Sequence, residues 1–100
     1  MMIDRRTASL LSLCQKAGKI ASGEVAVEKA LSSGKARLVI VCDDASERTK
    51  KKFTNKSFYY ETDCHVCFTK DDLSRYIGKN NRAVVAVLDE GFAKAIKESL

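Results

Sequence analysis

One hundred residues with 45% hydrophobic side chains can enclose one modest core, which excludes two independently packed domains and predicts a single domain over 1–100. Eighteen Lys and Arg against thirteen Asp and Glu leave a net charge of +5, a balance that favours a polyanionic partner over an acidic protein surface. There is no proline, no repeat and no low-complexity run, so nothing marks a linker.

In chain order, Asp4 to Ala17 carries Leu10, Cys14 and Ala17 at helical spacing with Leu11 and Leu13 beside them, and Gly18 stops this first helix. Ser12, Gln15 and Lys16 interrupt the apolar stretch that follows Arg5 and Arg6. It is therefore too short and broken for a signal peptide or a membrane span, and the expected location is the cytoplasm, with no membrane partner. Lys19 to Ser22 is a short extended candidate. Gly23 and Glu24 then open a second helix whose Val27, Ala30 and Leu31 form the apolar stripe, with Val25, Glu28, Lys29 and Ser32 opposite. Ser33 and Gly34 end it, and Leu38 to Cys42 is an uninterrupted apolar run of the kind covered on both faces of a sheet. Asp43 and Asp44 are candidate caps for a third helix over roughly Ser46 to Ser57, where Phe53, Ser57 and Tyr60 fall at i, i+4 and i+7. Cys64 to Phe68 is a third strand. Thr69, Asp71 and Asp72 open a fourth helix that buries Leu73, Tyr76 and Ile77 before Gly78 ends it. Ala83 to Leu88 is a fourth strand, and Asp89 caps a last helix that buries Phe92, Ala95, Ile96 and Leu100. Helices alternating with short apolar strands imply an α/β fold, a three-layer α/β/α sandwich with a four-stranded mixed sheet.

Catalytic signatures fail on inspection. Gly18 to Gly23 has the glycine spacing that opens a P-loop, but Glu24 and Val25 stand where that loop requires Lys and Ser or Thr to meet the phosphates. Cys64-His65-Val66-Cys67 resembles half a zinc site, yet on a strand its cysteines point to opposite faces and no second ligand pair has suitable spacing. Without an export signal Cys14, Cys42, Cys64 and Cys67 read as reduced, structural thiols. His65 lies within a strand and not on an evident active-site loop, so neither catalysis nor a metal nor a cofactor is expected.

Basic residues gather at turns instead. Gly18-Lys19, Gly34-Lys35 and Gly78-Lys79 each place flexible backbone next to a cation, which suits phosphate and equally suits an ordinary helix end. Small Ala21, Ser22 and Gly23 at the mouth of the second helix admit a close approach. The free N–H groups of that helix start favour an anion, and Lys29 projects from the polar face that also carries Val25. Arg48, Lys50, Lys51, Lys52 and Lys56 form a second basic surface, diluted by Glu47 and read as a solvated face.

In the Gly23 to Leu31 helix start, Lys35 to Val41 followed by Asp43 and Asp44, Leu73 to Gly78, and the closing Asp89-Glu90-Gly91, the chain resembles the kink-turn RNA-binding family of ribosomal proteins. That family includes archaeal large-subunit protein seven and eukaryotic large-subunit protein thirty, and the resemblance, nearest to its small bacterial branch, runs over nearly the whole chain. It implies the same three-layer sandwich and a surface made of the second-helix mouth and the loop before the last strand. In the family, a Gly-x-Asn-Glu-x-x-Lys pattern meets the guanines of paired G·A mismatches in sharply bent RNA. Gly23 and Lys29 match this pattern, while Val25 and Ala26 stand at the Asn and Glu positions. The other loop offers Lys79, Asn80, Asn81 and Arg82 where apolar residues are usual, a set suited to phosphates and 2′-hydroxyls. The expectation is a non-catalytic, monomeric protein that binds structured RNA, kink-turn or rRNA-like, with the ribosome as a candidate partner. The main chain of Ser22, Gly23, Glu24 and Val25 would meet phosphate or base edges, and Lys19, Lys29, Lys79, Asn80 and Arg82 would supply charge and hydrogen bonds. Two rivals from other classes stay open: a protein-interaction module that docks on an acidic partner, and a small nucleotide-binding or transferase domain.

Overall fold

The computed structural model describes residues 3–100 and consists of α1 (Arg5–Lys16), β1 (Ile20–Ser22), α2 (Glu24–Ser32), β2 (Leu38–Val41), α3 (Glu47–Tyr59), β3 (Asp63–Val66), α4 (Lys70–Ile77), β4 (Val84–Val87) and α5 (Glu90–Ser99). Four helices begin at a short side chain that accepts a free N–H of the first turn. Asp4 accepts from Thr7 at 2.9 Å, Ser46 from Thr49 at 3.2 Å, and Asp89 from Phe92 at 2.9 Å. Thr69 and Asp72 cap each other reciprocally, at 3.1 and 3.3 Å. The cap of α3 is thus Ser46 and not Asp43 or Asp44. Asp44 is used differently, its carboxylate accepting the Lys70 N–H at the start of α4 at 3.0 Å. Gly78 ends α4 in the left-handed conformation that a helix stop requires (φ 68).

The strands lie in the order β1-β4-β2-β3. β4 runs antiparallel to both β1 and β2, whereas β2 and β3 are parallel, so the sheet is mixed. β2 and β4 fill its centre and every residue in them is buried, as continuous apolar runs demand. Helices α2 and α3 cover one face, α2 over β1 and β4 and α3 over β2 and β3; α1 packs against α4 and α5, with α5 on β4, to complete the third layer. Leu11, Val27, Leu31, Phe53, Leu73, Ile77 and Ile96 enter one core between the layers.

The structure moves several expected boundaries. α3 runs two residues beyond Ser57 to Tyr59; Phe53 and Ser57 are buried as spaced, but Tyr60, at the helix stop, is exposed. β3 starts at Asp63 and stops at Val66, because Phe68 adopts a left-handed backbone (φ 66) that ends the strand and turns its ring inward. α5 buries Ala93 and Ile96, while Phe92 and Ala95 are half-buried and Leu100, beyond the last turn, is exposed. Leu13 likewise faces outward from α1.

The register has one positional consequence. Ser22 is opposite Val85, Val41 is opposite Val84, and Val66 is opposite Val41. The ends of β1, β2 and β3 therefore share one edge of the molecule with the start of β4. The mouth of α2 and the segment 78–83 meet there.

Candidate functional site

Gly23 caps α2 with no side chain, so the N–H groups of the first helical turn have no side-chain cap among the described residues. Its backbone lies at φ 93 and ψ 160, a region essentially reserved for glycine, and its own N–H donates to the Val84 carbonyl at 2.9 Å. The mouth of α2 is thus stitched to the start of β4. Arg82 completes the junction: Nε donates to Ser22 Oγ at 3.4 Å, Nη1 donates to the Asn80 carbonyl at 3.4 Å, and its stem passes over Gly23. Asn81 takes a left-handed turn (φ 56) that brings the loop back over the mouth, leaving Lys79 and Asn80 exposed. Ser22, Gly23, Lys79, Asn80 and Arg82 therefore form one surface, although some 60 residues separate its two halves in sequence.

Glu24 and Val25 occupy this surface in different ways. The Glu24 carboxylate turns aside to Lys52 of α3 at 3.4 Å, so its negative charge is partly neutralised and only its main chain faces the mouth. Val25 is 81% exposed, an apolar tip on the outer side of the first turn. Lys52 also holds Glu28 at 2.7 Å, and Lys56 approaches Glu28 at 4.0 Å. The Lys52 hydrogen bond keeps the Glu28 carboxyl below the usual carboxylate range, and the same bond raises Lys52. These contacts tie α2 to α3 and remove two carboxylates from the neighbourhood of the mouth.

Lys29 lies further along α2. It lines a shallow groove of about 270 Å³ between α2 and β1 with Ala21, Ala26, Ala30, Ser33 and Lys35. Lys19 is not brought to the mouth. The three residues of β1 separate it from Gly23, roughly 13 Å over four steps of extended chain. Its carbonyl accepts the Leu88 N–H at 2.8 Å at the far end of the same groove. Lys19, Lys29, Lys35, Lys79 and Arg82 form no ion pair among the described residues, so their charge is available to a ligand. The groove-lining role of Ala26 and Lys35 was missed in the sequence reading; the recurrence of alanine at 21, 26 and 30 is the signal that shows it, since small residues leave room between a helix and a strand.

The cysteines take no part in this surface. Cys14 and Cys42 are buried, and burial pushes their thiols up to about 11 and about 12. Cys64 lies beside Thr54 and Ser57 of α3, whereas Cys67 lines a groove with Thr7 and Ser99 on the other face of the sheet, so the two point apart. Burial pushes Cys67 up to about 11. No group of three or more His, Cys, Asp or Glu among the described residues is arranged to hold a metal, and no described helix is long and apolar enough to cross a membrane.

The chain is 40% identical over 94 residues to a protein of Enterococcus faecium named RNA-binding protein YlxQ, covering 94% of this chain and 90% of that one. It is 42% identical over 87 residues to the protein of the same name from Bacillus subtilis (strain 168), covering 87% of each. Among solved structures, a protein of unknown function from Bacillus halodurans C superposes with a TM-score of 0.91 at 35% identity, over 96% of this chain and 97% of that one. The Giardia lamblia 15.5kD RNA binding protein superposes with a TM-score of 0.76 over 94% of this chain and 81% of its own, and at 18% identity that likeness speaks for the fold alone. The model of the Ribosomal protein L7Ae/L30e/S12e/Gadd45 family matches residues 5–97, from the first helix to the last, and the chain belongs to that family.

Proposed function

We propose that this chain is a single-domain, non-catalytic RNA-binding protein that recognises sharply bent or kinked RNA through the mouth of α2, the 78–83 loop and Lys29. The observation that carries this reading is the Arg82 bridge. It fuses the uncapped helix start at Gly23 to the Lys79–Arg82 loop, so that free N–H groups, an arginine and an exposed lysine converge on one edge, with the neighbouring Glu24 carboxylate drawn aside to Lys52. Hydrogen-bond donors without acceptors suit phosphate oxygens, and a surface interrupted by a projecting loop suits a bent backbone better than a straight duplex. Membership of a family of ribosomal proteins and relatives named for RNA binding support the same ligand class.

The substitutions at 25 and 26 refine the mode. The side chains of a valine and an alanine offer no hydrogen bond to a base edge, so in this reading recognition rests on backbone contacts, 2′-hydroxyls and shape, with Lys29 as the side chain of α2 that would touch a base. The reading is of a cytoplasmic monomer, with ribosomal RNA as a natural source of such folds.

The test is fluorescence anisotropy of a labelled kink-turn RNA against a fully paired duplex of equal length, at two salt concentrations. The expected result is a clear preference for the kinked RNA, weakened by salt as phosphate contacts release counterions. Lys29→Ala is expected to cost about 1–3 kcal/mol if the lysine meets a guanine. Equal binding of kink and duplex would overturn the shape-specific reading, and absence of RNA binding by either would favour a protein partner.

A further inference from the structure

On the outer face of α3, Arg48, Lys51, Asn55, Phe58 and Tyr59 recur at i, i+3, i+7, i+10 and i+11, which places them in one stripe along the helix. All five are exposed, Phe58 at 86% and Tyr59 at 76%. Two aromatic rings standing in water beside each other serve no packing purpose in this fold, since Phe53 and Ser57 already supply the buried side of the helix. Tyr59 meets Tyr60 edge-on, with ring centres 4.9 Å apart at 90°, a contact that leaves its outer face to solvent.

The charges of α3 separate into two sets. Lys50 is bound to Glu47, while Lys52 and Lys56 are bound to the carboxylates of α2. Arg48 and Lys51, the two cations of the outer stripe, have no ion-pair partner among the described residues. They also lie in the N-terminal half of the helix, where the dipole favours anions. At the opposite end, Phe58 and Tyr59 share a shallow groove with Glu61 and Asp63, of which Asp63 is neutralised by Lys97 at 2.6 Å. The stripe is thus polarised, with sites for phosphate at one end and flat apolar rings about 17 Å away at the other. Free cations followed by exposed rings fit a strand whose backbone is anionic and whose bases have π faces.

We infer that the outer face of α3 is a second RNA contact, for unpaired nucleotides: Arg48 and Lys51 hold their phosphates and Phe58 and Tyr59 stack on their bases. The inference rests on the reading of the chain as an RNA-binding protein. It is also spatially continuous with that surface, because α3 begins on the same molecular edge as the α2 mouth and is joined to α2 through Lys52. A single strand leaving a kinked element at that edge runs down α3.

The experiment compares three labelled RNAs by anisotropy: a blunt kink-turn, the same kink-turn with a tail of about six unpaired uridines, and a blunt duplex. The tail is expected to raise the affinity of the unaltered protein by at least about five-fold, the lower end of what one stacked base contributes. Phe58→Ala with Tyr59→Ala removes that gain and leaves blunt kink-turn binding unchanged. Both side chains are exposed, so the fold is retained, as circular dichroism checks. Arg48→Ala with Lys51→Ala abolishes the salt dependence of the gain. A Phe58→Leu, Tyr59→Leu pair keeps an apolar surface without flat rings and is expected to lose the gain as well; if the gain survives in this pair, stacking is wrong. No gain from the tail, with blunt kink-turn still preferred over duplex, overturns the α3 contact and leaves the bent-RNA reading intact, the aromatic pair then being a surface for a protein. A tail gain with no preference for the kink has the reverse meaning.

Discussion

Gly23 is where backbone strain and the proposed RNA surface meet. Its φ of 93 with ψ of 160 is accessible to glycine and strained for any other residue, while a Cβ built there meets Arg82 only at 3.7 Å. The penalty for Gly23→Ala is therefore one of backbone strain and not of collision. It should destabilise the protein by about 1–3 kcal/mol in urea unfolding, and the relaxing backbone should disturb the Arg82 bridge and weaken RNA binding as well. If Gly23→Ala is as stable as the parent protein, the geometry assigned to the α2 mouth is wrong. The cysteines make the opposite case, since burial keeps Cys14 and Cys42 protonated and inert. Alkylation with iodoacetamide at about pH 8 should leave both unmodified in the folded protein and modify them once it is unfolded, as peptide mass spectrometry would show.

At the scale of elements, the α2 and α3 layer is held by a core on one side and by Lys52 on the other. Glu28 has a depressed pKa in the folded state, so the stability it contributes is fully present above its unfolded value of about 4.3 and is lost as pH falls through the lower folded value. Asp63, depressed by its bond to Lys97, behaves in the same way and links β3 to α5. The melting temperature should therefore fall on acidification below about pH 4, and the combined Glu28→Gln and Asp63→Asn variant should show a shallower acid limb. An acid limb as steep as that of the parent would mean that these bridges are not populated in solution. The central strands carry the larger share of stability. Ile40→Ala, in a strand buried on both faces, is expected to cost about 2–5 kcal/mol.

For the molecule as a whole, the cations divide into paired and unpaired ones. Arg82, Lys79, Lys29 and Lys35 lie on or beside the α2 mouth and its groove, whereas Arg37, Lys50, Lys52, Lys56 and Lys97 are consumed in ion pairs. A net charge of +5 thus does not show which cations are free to meet a ligand. The binding isotherm should respond accordingly. Lys79→Ala should reduce the slope of log K against log salt by about 1 while lowering affinity for all RNAs alike, as expected for a phosphate contact. A Lys50→Ala variant should leave that slope unchanged, and an equal change in both would show that the attraction is diffuse.

The amino-acid sequence alone determined the elements and their layers. Uninterrupted apolar runs at 38–42 and 83–88, the apolar stripe of Val27, Ala30 and Leu31, and the caps at Thr69 and Asp89 are local signals, written within a few residues of where they act. The family pattern around Gly23 and Lys29 was legible for the same reason. What only the tertiary structure decided depends on residues far apart in the chain. The antiparallel placement of β4 sets Arg82 beside Ser22, and the packing of α3 against α2 turns the Glu24 carboxylate to Lys52. The same packing pairs Lys52 and Lys56 with the carboxylates of α2 and leaves Lys51 without an ion pair among the described residues, which the charge run 50–52 does not reveal. Periodicity shows which side of an element is buried. It does not show which distant charge will lie across from it, because that is fixed by strand order and register, and these belong to the folded chain as a whole.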